Sequence, residues 1–217
     1  MPDATTVVHL LRHGEVHNPA GVLYGRLPGY RLSERGRAMA DLVADHLAAE
    51  PRHDVRHLVA SPLERARETA APIAAAFGLE VPTDPRVIEA ANHFEGRTVG
   101  RGDGAFTRPG NLRRLWNPMR PSWGEPYREQ IVRMLAAVAD ARAAAAGHEA
   151  VIVSHQLPIW ITRSALEGRR LVHDPRRREC SLASLTSLHY RGNTLETITY
   201  CEPAAALLPG ASTTPGA

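Results

Sequence analysis

Three places in this sequence set a histidine or an arginine directly after a run of buried-strand character. In "VVHLLRHGEV" the apolar run ends on Arg12 and His13, with Gly14 to turn the chain. In "HLVASPLERARE" Ser61 and Arg65 follow such a run, and in "AVIVSHQ" Ser154 and His155 do. Two imidazoles and two guanidiniums brought together suit a phosphoryl group, whose transfer mostly demands positioning and cancellation of negative charge. Arginine does this through a planar fork that donates two parallel hydrogen bonds to phosphate oxygens. A neutral imidazole can attack phosphorus and form a phosphohistidine, and neighbouring cations favour the neutral form. A carboxylic acid must then protonate the leaving alcohol and later activate water. The extended segment "VIEAANHFEG" offers Glu89 and Glu95 for that task.

The elements needed to position these groups can be read from periodicity and punctuation. Residues 5–11 form an apolar, β-branched strand, 55–61 a second and 149–156 a third. Ser33 with Glu34 starts a helix to about Ala49, with Met39, Leu42, Val43 and Leu47 on one face. Pro62 fits the first turn of a helix through Phe77, stopped by Gly78. Glu125 to Ala146 reads as an amphipathic helix, and Pro158 starts another that Gly168 ends. "CSLASLTSLHY" and "TLETITY" around "RGN" form a terminal hairpin. This alternation predicts an α/β three-layer sandwich with a mostly parallel central sheet flanked by helices. In such sheets the site lies beyond the carboxyl ends of the strands, which selects the three places named above.

The whole chain bounds the answer. Its 217 residues are 43% hydrophobic with a formal charge of +3, which predicts one catalytic domain over residues 1–202. Residues 203–217, rich in Pro, Gly, Ala and Thr, read as a disordered tail. The mild basic excess falls short of a nucleic-acid footprint and suits a small anionic substrate. Cys180 and Cys201 lack metal-binding spacing and read as free thiols in a reducing cytoplasm. No secretory leader or membrane span is visible, so the expected location is cytoplasmic, with no membrane partner. His13 and His17 have a spacing that suits zinc on a helix, but Gly14 and Pro19 break any helix there, so no metal and no cofactor is expected. The hairpin edge leaves room for pairing with a second copy as a homodimer.

"LLRHGE" resembles the signature of the histidine phosphatase superfamily, the phosphoglycerate mutase-like proteins. "LSERGRAMA" is similar to that family's next helix start, "ASPLERARETA" to its second motif and "VIVSHQ" to its third. They occur in this order, each strand-end motif behind its predicted strand, across residues 7 to 157. The resemblance implies the fold of that family and metal-free chemistry. It makes His13 the phosphorylated nucleophile and Glu89 the acid/base, with Arg12, Arg65 and His155 holding phosphoryl oxygens. Asn18, with His17 as its alternate, takes the place of a phosphate-contacting residue that the family carries one position later. The stretch from Glu89 to Glu95 is one residue shorter than the family's usual spacing, with His93 near its usual glycine. "SWGEPY" resembles a helix start of the family, so Glu125 orients a site residue.

The implied activity is phosphomonoester hydrolysis on a small anionic phosphorylated metabolite. A phosphoglycerate mutase is the first alternative, and a catalytically weak phospho-ligand-binding protein the second. The six arginines of 97–124, in a loop or lid without a long ordered cover, can recruit the anion. The short loop favours release of phosphate over retention. Ser61 reads as a helix cap. Arg67 reads as a surface cation, and the run Arg176 to Arg178 as surface or interface rather than site. His9, His57 and His173 read as structural or surface groups.

Overall fold

A computed structural model describes residues 5–49, 53–98, 124–174 and 177–212. Five strands, β1 (Thr5–Arg12), β2 (Val55–Ala60), β3 (Glu149–Ser154), β4 (Leu185–Arg191) and β5 (Thr194–Cys201), form one sheet in the order β2-β3-β1-β4-β5. Among the described residues four helices flank it: α1 (Glu34–Ala48), α2 (Glu64–Phe77), α3 (Tyr127–Ala144) and α4 (Gln156–Leu166). Strand side chains alternate between two apolar layers, as period two requires. Leu11, Val151 and Val153 pack with Met39, Val43 and Leu47 of α1 and Ile73 of α2. Val8, Leu10 and Ile152 pack with Met134 and Val138 of α3 and Ile159 of α4. Each fully buried side chain of this size contributes about 1.5–3 kcal/mol.

The three-layer α/β architecture agrees with the sequence, and the sheet is mixed. β2, β3 and β1 pair in parallel, whereas β4 runs antiparallel to both β1 and β5. The expected hairpin makes β4 and β5 antiparallel to each other, the arrangement a two-residue turn joins. Register then gathers the three strand ends. Arg12 stands opposite Ser154, Ala60 opposite Val153, and the amides of His13 and Ser61 donate to the carbonyls of Ser154 and Val153.

Gly14 answers a packing requirement. A Cβ there would collide with the Gly36 carbonyl in the first turn of α1, and a Cβ on Gly36 would collide with the Glu15 carbonyl. The chain leaving β1 thus crosses the start of α1 at backbone contact. Ser33 caps that helix, its Oγ accepting from the Gly36 amide at 2.9 Å and donating to Glu15. Gly78, with φ of 67°, ends α2 in the left-handed conformation that glycine tolerates.

The tail differs from its compositional reading. Ala204 is buried, Leu207, Leu208 and Ala211 pack on the α1/α2 layer, and the Ser212 amide donates to Glu15 Oε1 at 2.8 Å. Two leucines in a Pro/Gly-rich stretch suffice to dock it through Ser212; residues 213–217 lie outside the described residues, as does 99–123, most of the expected lid. Among the described residues no helix is long and apolar enough to cross a membrane.

Candidate active site

His13 follows β1 directly and is fully buried. Its Nδ1–H donates to the Gly14 carbonyl at 2.8 Å, which leaves the Nε2 lone pair unprotonated. Arg65 Nε approaches that atom at 3.3 Å. Burial first, then the Arg65 and Arg12 guanidiniums, hold the His13 pKa well below the usual imidazole range. The ring is therefore a neutral base with its tautomer and orientation fixed, which is what an attacking nitrogen requires.

Arg65 sits in the first turn of α2 and is 1% exposed. Its Nη2 donates to the Gly25 carbonyl at 2.6 Å, and its guanidinium lies 4.7 Å from the centroid of the Tyr24 ring. Thr69, one turn further on, ties this helix to the nucleophile's loop: its hydroxyl donates to the Arg65 carbonyl and accepts from the Gly14 amide. Arg12 is likewise buried, and its Nη1 donates to the Cys180 carbonyl at 2.8 Å.

His155, the residue after β3, is fully buried with its ring centroid 5.1 Å from that of His13. Its Nε2 is 2.8 Å from Ser61 Oγ, while its buried Nδ1 has no hydrogen-bond partner among the described residues. Burial and then Arg65 hold its pKa well below the usual range. When the Ser61 hydroxyl donates to Nε2, the proton of the neutral ring sits on Nδ1 and is available to an acceptor in the site. Ser61 is therefore not a helix cap in the sense expected. Its Oγ lies 3.4 Å from the Leu63 amide, a weak contact, and 2.8 Å from His155.

Glu89 is 4% exposed. Burial raises its pKa, opposed by a hydrogen bond from the Ala90 amide and by the charges of Arg65, Arg178 and Arg12. A carboxyl pushed toward its protonated form beside cations is suited to give a proton to a leaving oxygen and take one from water. Its backbone is pinned in turn: Arg26 Nε donates to the Glu89 carbonyl at 2.7 Å. Glu125 holds Arg26 at 2.8 Å and Arg133 at 2.7 Å, and Arg133 also reaches the Arg86 carbonyl. Glu125 thus orients the Glu89 segment, as its sequence context implied. Glu95 is partly exposed, accepts from the Asn92 amide at 3.2 Å, and shares the electrostatic neighbourhood of Arg65.

Arg12, His13, Arg65, His155 and Glu89 therefore share one buried, cationic centre. Asn18 does not reach into it here. Its amide donates to the Val22 carbonyl and accepts from the Val22 amide, bracing its own loop, and His17 is exposed. The buried guanidiniums disfavour a divalent cation and favour an anion.

Arg178 is a residue that sequence reading places on the surface. It is half-buried, donates to His173 Nε2 at 2.8 Å and to Gln156 Oε1 at 3.1 Å, and acts electrostatically on Glu89. Nothing local in "PRRRE" separates it from its neighbours; its position follows from the chain's return to β4 past the strand ends. Arg67, as expected, is exposed.

Comparison with known proteins places this geometry in context. A family model described as the histidine phosphatase superfamily (branch 1) matches residues 8–202. An uncharacterised protein of Mycobacterium tuberculosis is 58% identical over 205 residues, covering 94% of this chain and 100% of that one. A probable phosphoglycerate mutase of Photorhabdus laumondii is 30% identical over 84% of this chain and 85% of its own length. The solved structure of a mycobacterial glucosyl-3-phosphoglycerate phosphatase superimposes with a TM-score of 0.68 at 25% identity, covering 91% of this chain and 96% of that one.

Proposed function

This chain belongs to the histidine phosphatase superfamily, and from that premise we propose that it hydrolyses a small anionic phosphomonoester through a phosphohistidine on His13. The observation that carries the reading is the state of His13: buried, neutral, with Nδ1 occupied by Gly14 and Nε2 facing Arg65. Nε2 attacks phosphorus as the ester P–O bond breaks, and the Glu89 carboxyl gives its proton to the departing alkoxide. The Glu89 carboxylate then takes a proton from water, whose oxygen attacks phosphorus. The N–P bond breaks, and phosphate leaves with His13 neutral again. Arg12, Arg65 and the Nδ1–H of His155 hold the equatorial oxygens as charge develops.

The similarity to a phosphatase of a phosphoglycerate ester supports hydrolysis and a substrate with a carboxylate near its phosphate. The relatives named as probable phosphoglycerate mutases favour a second reading, return of the phosphoryl group to substrate. Incubation with 3-phosphoglycerate, with and without 2,3-bisphosphoglycerate, separates the two when 2-phosphoglycerate and free phosphate are both measured. Hydrolysis predicts phosphate, here or across a panel of phosphorylated metabolites, abolished by His13→Ala. Rapid isomerisation with little phosphate would replace hydrolysis with the mutase. Silence across the panel would leave a phospho-ligand-binding protein.

A further inference from the structure

A second group of ring nitrogens lies toward the other end of the parallel strands. His9 is in β1 and, like Leu11, belongs to its α1/α2-facing set. Glu149 is the first residue of β3, and His53 lies in the connection between α1 and β2. His9 Nε2 is 3.0 Å from Glu149 Oε2, and His53 Nδ1 is 2.7 Å from the same oxygen. The three donor atoms all lie within 4.8 Å of one another. His9 and His53 meet edge to face with ring centroids 5.5 Å apart, and the exposed His46 of α1 adds a further imidazole 5.7 Å from His53.

We propose that His9, His53 and Glu149 form a binding site for a divalent transition-metal ion, zinc by donor type. Two imidazoles and a carboxylate with one open position make a common zinc donor set. Side-chain exposures of 4% for His9, 20% for Glu149 and 31% for His53 give an anchored base and an entry from solvent. Zinc bonds near 2.05 Å in a tetrahedron separate ligand atoms by about 3.3 Å. The carboxylate oxygen therefore withdraws by a few tenths of an ångström to admit the ion. Hydrogen bonds already assemble the donors, and metal entry adds a change of tautomer to that withdrawal. The His9 proton moves from Nε2 to Nδ1, where Ser187 Oγ at 2.7 Å becomes its acceptor, the outer contact that orients a ligating histidine. The His53 proton moves from Nδ1 to Nε2, so neutral rings bind the ion with no net proton loss. The ion cross-links the α1–β2 connection to β1 and β3, and because it binds the folded chain it raises stability by mass action.

The full chain titrated with Co2+ should bind one equivalent with the intense visible bands of a tetrahedral site, Zn2+ should displace it, and Zn2+ should raise Tm. His53→Ala and Glu149→Gln should each weaken Co2+ binding by more than the ~10–100-fold seen when only an outer contact is lost, and Ser187→Ala should fall within that range. His13→Ala should leave binding unchanged, which separates this site from the catalytic imidazoles. Absence of saturable binding, binding that survives both His53→Ala and Glu149→Gln, or binding lost with His13→Ala would overturn the proposal.

Discussion

Arg65 is the residue on which charge and geometry can be separated. Its guanidinium meets His13 Nε2 at 3.3 Å and the Gly25 carbonyl at 2.6 Å while lying over Tyr24. Arg65→Lys keeps a positive charge but loses the fork. Losing a preorganised donor to developing charge costs about 2–4 kcal/mol, or about 30- to 900-fold in kcat/KM at ~1.36 kcal/mol per decade. Arg65→Met removes the charge as well. After burial, Arg65 is the largest influence depressing the His13 pKa, so the methionine variant should also move the acid limb of the kcat/KM profile toward neutral pH, whereas the lysine variant should not. The assay is initial-rate kinetics with one substrate across pH, so that substrate titration is common to all three proteins. Both variants leave the Gly25 carbonyl without its present donor, a stability cost of about 1–3 kcal/mol to be followed by chemical unfolding. Near-full kcat/KM in Arg65→Lys would refute the clamp, and an unmoved acid limb in Arg65→Met would refute its electrostatic coupling to His13.

Glu89→Gln should slow esters with poor alkoxide leaving groups far more than nitrophenyl phosphate, which hardly needs a proton; Glu95→Gln should do little, and the reverse pattern would move the acid/base role. Ser61→Ala should lower kcat by about tenfold, the value of one ~1.4 kcal/mol hydrogen bond to His155, with KM little changed; an unaffected kcat would show that His155 orients itself. Stability should fall as pH drops below about 6.5, because the unfolded chain protonates His13 and His155 while the folded chain resists, each adding up to ~1.4 kcal/mol of loss per pH unit. Half-buried His57 and His173 act in the same direction, whereas Glu89, with its folded pKa raised, regains part of the loss as pH falls through that value. Urea midpoints at pH 7.5 and 5.5 should therefore differ, and equal midpoints would contradict neutral burial of the two imidazoles.

The central histidines and arginines were legible because the site obeys a local rule. Arg12 ends a strand of readable periodicity and His13, Arg65 and His155 come after one, and parallel register does the rest by setting Arg12 beside Ser154. What escaped reading depends on contacts between distant segments. The Ser61 hydroxyl chooses His155, 94 residues away, over its own helix. Arg178 is drawn inward by Gln156 and His173, which no arginine-rich surface run announces. The Arg26–Glu125–Arg133 brace behind Glu89 joins three segments that share no periodicity. The tail misled by composition, since two leucines outweigh several prolines and glycines once an apolar face is there to receive them.

Rapid quenching of the chain with a labelled phosphomonoester tests the central claim most directly. The account predicts label on protein that is acid-labile and base-stable, maps to His13 with phosphorus on Nε2, and is absent from His13→Ala. Phosphorus on Nδ1, label on another residue, or turnover in His13→Ala at the wild-type rate would contradict it.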